Sequence, residues 1–237
     1  MDKSHSSAPS HGAVDPAVAA ELPGLRLDWL AVTVAPGLTS ARSRSPAAER
    51  LRALSDRYRG ATVIAMRTHP IPRAYRTFYR QIGLDPDVEQ IPSERAATER
   101  LLHGGFRASD AISDACVVAV IETGVPVWAL DAGVVDSDPP GLGIGLADPA
   151  AAPAAADAAA ADTAAASAAA ATGAPPGSLV VCDRRAVHAP LFGTPLPGHE
   201  ARPSAATVAL YALGVAGVPQ IHIDEALWLA AELLAGR

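Results

Sequence analysis

Asp131, Asp183 and His188 are the residues of this chain whose types could carry acid–base chemistry. His188 sits in a loop between Asp183 and Phe192, and an imidazole can take or give a proton near physiological pH. No motif fixes the geometry of the three, and a histidine satisfied within its own loop is the plainer reading of His188. Other signatures are missing. There is no GxxxxGK[ST] phosphate loop and no GxSxG elbow. "GLGIG" (Gly141 to Gly145) runs into "LADPA" and not into a helix, so it reads as a flexible turn. The remaining histidines, His5, His11, His69, His103, His199 and His222, are scattered, and none shares an element with another at metal-ligand spacing. No metal and no cofactor is expected. Cys116 lies in an apolar run and reads as a buried, inert thiol.

The elements that must position these residues are those of one α+β domain over residues 25–237. Residues 1–24 read as a disordered tail without a secretory signal, and residues 147–176 as an Ala-rich, mobile insertion. Strands are expected at 25–37, 61–66, 126–131, 178–183 and 206–214, the last apolar on both faces and therefore central. Helices are expected at 45–60, from 72 to 83, at 92–105 with Ser93 as its cap, at 109–124 with Ser109 as its cap, and at 224–236 with an Asp224 cap. Residues 184–198 read as a loop crowded with turn formers. No apolar run is long enough to span a membrane, and two cysteines without a signal peptide suggest a cytoplasmic protein.

Charge is unevenly placed. Residues 42–107 carry 13 arginines against 7 acids, a net of +6, on a chain whose net charge is −6. In the second helix Tyr75, Phe78, Tyr79 and Ile82 make an apolar face. Arg73, Arg76 and Arg80 fall opposite them, as a stripe that could meet phosphates or as an ordinary solvated face.

Three segments form an ordered series: "YRTFYRQIGLDPDVEQIPSERAATERLLHGG" (Tyr75 to Gly105), "SDACVVAVIETGVPVWALD" (Ser113 to Asp131) and "SLVVCDRRAVHAPLFGTP" (Ser178 to Pro195). The series resembles the B3/B4 domain of the phenylalanyl-tRNA synthetase β subunit and its free-standing bacterial relatives, over about residues 60–236 less the insertion. The resemblance implies a barrel-like mixed sheet with flanking helices. It also implies a pocket that, in the synthetase, removes tyrosine wrongly attached to the phenylalanine tRNA. Asp114, Gly124, Pro126 and Asp131 match the pattern D…G-x-P-x-H-x-x-D, and Phe192 and Gly193 match its Phe-Gly loop. With Ser93 and Glu94 of the Pro-Ser-Glu helix start, these residues would surround the pocket. Departures are as informative: Trp128 replaces the histidine, Val117 an asparagine, and Tyr211 falls where the tyrosine-recognising glutamate aligns. Trp128 either floors a pocket for a different ligand or fills the core.

The resemblance implies binding of tRNA or aminoacyl-tRNA, with hydrolysis of a mischarged ester in trans as the activity such a pocket supports. Aminoacylation and DNA binding are not expected. The alternative is a module that binds an amino acid or similar metabolite without catalysis.

Overall fold

A computed structural model of the chain describes residues 8–38, 45–139, 141–147 and 175–236. Most of the Ala-rich insertion, and residues 1–7 of the tail, lie outside them. The fold is α+β, with two four-stranded sheets and helices packed against them.

The first sheet is antiparallel and has β8 (Thr207–Gly214) inside it. It pairs along its full length with β3 (Arg26–Thr33) and on its other edge with β4 (Val127–Asp131). Every residue of β8 after Thr207 is buried, as its two-sided apolar pattern predicts. Each fully buried Leu there contributes roughly 1.5–3 kcal/mol. Two helices cover this sheet: α6 (Ala111–Thr123) and the last helix, α7 (Gln220–Leu234). Helix α2 (Pro46–Arg57), capped by Ser45 on the Ala48 N–H, packs on α6.

The second sheet runs β2 (Ala13–Val14), β5 (Gly143–Leu146), β6 (Leu179–Cys182), β7 (Val187–Pro190). Strand β1 (Ser10–His11) pairs with β3 of the first sheet while β2 pairs with β5, so the segment read as a disordered tail stitches the two sheets together. Helix α1 (Pro16–Glu21) follows, its first N–H groups received by Asp15. Among the described residues the two sheets do not close into a barrel.

Several local expectations are corrected. Residues 61–66 are not a strand: Gly60–Met66 form a helix, α3, with only Met66 buried. A six-residue apolar run does not separate strand from helix, and β3 has a partner on both edges, leaving no place beside it in the sheet. "GLGIG" is not a flexible turn but enters β5, where a Cβ on Gly143 would sit 2.4 Å from the Ala13 carbonyl oxygen. Glycine is there because another strand passes too close for a side chain. The loop at 184–198 contains β7, joined to β6 by a turn in which Asp183 accepts the N–H groups of Arg185 and Ala186.

Helix caps also moved. Asp110, not Ser109, caps α6 by accepting from Ile112 and Ser113. Helix α5 spans Pro92–His103 with Ile91 at the cap position, so Ser93 is already inside its first turn. The last helix starts at Gln220, and Asp224 accepts from the Gln220 amide and caps nothing. Among the described residues no helix is long and apolar enough to cross a membrane.

Candidate functional site

Trp128 and Tyr211 are register partners in the β4–β8 pair, which puts both side chains on one face of the sheet. Their rings stack, with centroids 5.4 Å apart and planes 12° from parallel. Tyr211 is buried beneath, and burial pushes its hydroxyl well above the ordinary tyrosine value. Phe192 closes the arrangement. It follows β7 at φ 59°, a left-handed turn, and its ring enters a nest of Tyr75, Phe78, Tyr79 and Trp128 at 5.2–6.0 Å. Tyr75, Phe78 and Tyr79 come from helix α4 (Pro70–Gln81), on the aromatic face its spacing predicts.

Between this cluster and helices α5 and α6 lies a cleft of about 200 Å³, walled by Ala96, Val117, Val120, Trp128, Phe192 and Gly193. Gly193 has no room for a side chain, since a Cβ would stand 2.9 Å from the Pro190 ring. A hollow of about 110 Å³ shares Ala96, Glu99 and Val117 with the cleft and continues it to Arg100, His103 and Arg107. The two hollows adjoin: Arg95 and Glu99 also line the aromatic one, and Glu99 stands with Arg100, His103 and Arg107 in the smaller. The Arg100 Nε is buried there without a partner, although its Nη2 donates to the Ser55 carbonyl at 2.5 Å. Cys116 also lines the cleft, and burial, with Asp110 adding to it, pushes its thiol up to about 12. It is therefore no nucleophile at neutral pH. A larger hollow of about 710 Å³ lies on the far side of the same loop, against α1 and the end of α4, and holds none of the predicted site residues.

Comparisons with family models, with curated proteins and with solved structures found no match to this chain.

The geometry sorts the predicted residues. Trp128, Phe192 and Gly193 meet at the cleft, with Tyr211 under Trp128. Ser93, Glu94, Asp114 and Asp131 do not line it. Ser93 Oγ is buried without a partner. Asp114 accepts the Ser109 N–H on Oδ1 at 2.8 Å while Oδ2 has no partner. Burial raises the Asp114 carboxyl above its ordinary value, the Ser109 N–H works against this, and Asp110 adds to it. Asp131 ends β4 and accepts the Gly133 N–H in a local turn. The arginine stripe is not continuous. Arg73 and Arg80 are exposed, but Arg76 is buried and held by Glu94 at 2.9 Å and Asp87 at 2.7 Å. Burial disfavours the Arg76 charge, and the two carboxylates outweigh it.

His188 is no free acid–base group. It is fully buried, with Nε2 at 2.9 Å from Asp183 and Nδ1 at 2.8 Å from His199 Nδ1. Burial opposes the Asp183 charge, but the Asp136, Arg185 and Ala186 N–H groups and His188 hold its carboxyl below the ordinary range. His199 was missed as the third member because eleven residues and two turns separate it from His188, and no sequence period links them.

The network predicts acid lability. Burial, then the neighbouring His188, lowers the His199 ring below its ordinary value. The unfolded chain then binds more protons than the fold as pH drops below about 6.5. The stability this group contributes is complete above that pH and is lost as pH falls towards its lowered folded value. Asp183 repeats the pattern lower down, losing its contribution as pH falls below about 4. Urea midpoints should decline from neutral pH through about pH 5 and further below about pH 4.

Proposed function

We propose that this chain is a cytoplasmic B3/B4-like module that binds the aminoacylated end of tRNA. The amino-acid side chain enters the aromatic cleft and the nucleotide lies along the adjoining hollow toward Arg100, His103 and Arg107. The supporting observation is the adjacency of the two hollows, the larger walled by Trp128 and Phe192 with Arg95 and Glu99, the smaller lined by Arg100, His103 and Arg107 beside Glu99. At about 200 Å³ the cleft is smaller than a site for a whole drug-sized ligand, and suits one side chain whose remainder stays outside. Ester hydrolysis in such a cleft draws on a water positioned by substrate hydroxyls, because Cys116 is protonated and His188 is enclosed.

A second reading has its own support. Trp128 stacked on Tyr211 narrows the cleft, and burial of Arg76 removes a phosphate contact from α4. Both favour a free amino acid or aromatic metabolite as ligand.

The test is binding to bulk tRNA, free and aminoacylated, over a salt series. Tighter binding of the charged form is expected, with a shallow salt dependence from two or three cations. Equal binding of both forms would remove the cleft from the reading. No binding at low salt, with a melting-temperature rise on adding amino acids, would establish the second reading instead.

A further inference from the structure

The Asp183–His188–His199 chain stands at the base of the loop that carries Phe192, Gly193 and Thr194 into the cleft. His188 lies on β7 just before the loop and His199 just after it. The span between them holds few other ties to itself: Gly193 N–H to the Pro190 carbonyl, Leu196 N–H to the His188 carbonyl, and His199 N–H to the Leu196 carbonyl. Pro195 and Pro197 have no N–H to donate. Among the described residues the imidazole bridge is thus the one side-chain hydrogen bond joining the loop's two ends.

Its protons follow from geometry. Asp183 takes three backbone N–H groups on its oxygens and is an acceptor toward His188, so His188 Nε2 carries a proton. A neutral His188 then has a bare Nδ1, and His199 must donate its Nδ1–H across the 2.8 Å gap. One further proton is accommodated on His199 Nε2 without breaking the bridge. A second is not, since two Nδ1–H groups would then face each other between two cations whose centroids are 5.0 Å apart.

We infer that this histidine pair is a proton-released clamp, which pins the cleft loop while the pair holds at most one extra proton and frees it when a second arrives. The inference is independent of what the cleft binds.

The charged surroundings are mixed. Asp183 faces His188 from the end of β6, and Glu200 adjoins His199 in sequence. Asp131 of β4 gives its backbone N–H to the His199 carbonyl. Behind Asp183, Asp136 is engaged by Arg184 and Arg185, which offset its charge. Burial and the neighbouring His188 ring oppose a proton on His199 more than Asp183 and Glu200 favour it.

The test is amide exchange of the loop, read at Gly193, Leu196 and His199 against the buried amides of β8, at about pH 7.5 and about pH 4.5 after correction for intrinsic rate. In the native chain the loop amides should open about tenfold or more at the lower pH while β8 stays protected. His199→Asn places an amide donor where Nδ1–H stood and cannot titrate, so its loop should stay closed at both values. His199→Ala should be open at both. Nitrogen chemical shifts at neutral pH should report Nε2–H for His188 and Nδ1–H for His199. The inference is overturned if the loop of His199→Asn opens with acid as the native loop does, if acid leaves the native loop unchanged, or if the tautomers are reversed.

Discussion

Arg76→Ala should destabilise the fold by about 3–5 kcal/mol and lower its melting temperature by roughly 10 °C. The guanidinium is held on three sides: Nη1 by both Glu94 oxygens at 2.9 and 3.1 Å and by the Pro86 carbonyl at 3.3 Å, Nη2 by Asp87 at 2.7 Å. Removing it strands Glu94, which is 3% exposed, with only Arg67 at 3.4 Å for company. An uncompensated buried carboxylate is what makes loss of one partner costly. Arg73→Ala and Arg80→Ala remove exposed charges and should stay within about 0.5 kcal/mol of the native chain. The comparison separates two roles for one helix face. Were Arg76 part of a phosphate-contacting stripe, its loss would weaken tRNA binding and leave the melting temperature alone. Calorimetry of the three variants decides this, and a native-like melt for Arg76→Ala would defeat the buried-pair account.

Arg76 also shows where sequence reading stops. The aromatic spacing of Tyr75, Phe78 and Tyr79 specified the buried face of α4, and the helix begins two residues earlier than expected and ends at Gln81, with Ile82 at its C-cap. The opposite face reads from sequence as exposed under either reading, a stripe that meets phosphates or an ordinary solvated face. Arg73 and Arg80 are in solvent and Arg76 is not, because the turn at 85–87 and the first turn of α5 fold back over it, a tertiary fact with no period in the sequence. The two-sided apolar pattern of β8 and the Gly-x-Pro entry to β4 were legible for the same local reason, and the Trp128–Tyr211 stack follows once those strands pair. The cleft was half legible. Phe192, Gly193, Trp128 and Val117 came from the resemblance, while the contribution of Ala96 and Arg100 needed the packing of α5 on α6. The N-terminal strands escaped because each is two residues long and is held by partners over ten residues to well over a hundred residues away.

Phe192 should give the second large effect, with an unusual order among its replacements. Its ring is 6% exposed and touches four aromatic neighbours, so Phe192→Ala is expected to cost about 3–5 kcal/mol. The backbone there has φ 59°, the only positive value at a non-glycine among the described residues. An L-residue holds that conformation at a cost of about 1–2 kcal/mol, which the ring's packing offsets. Alanine keeps the strain and loses the packing. Glycine loses the packing and the strain together, against an unfolded-state entropy term of about 0.4–1 kcal/mol. Phe192→Gly should therefore be more stable than Phe192→Ala by up to about 1 kcal/mol, reversing the order seen at ordinary helix and strand positions. Urea unfolding of the two variants reads the difference directly. If alanine is the more stable, the left-handed turn is not what sets Phe192 into the cleft, and the loop must reach it by another backbone path. The same pair of variants bears on the site: both remove the wall against Trp128, so both should widen the cleft and change its ligand response alike, whichever of them folds better.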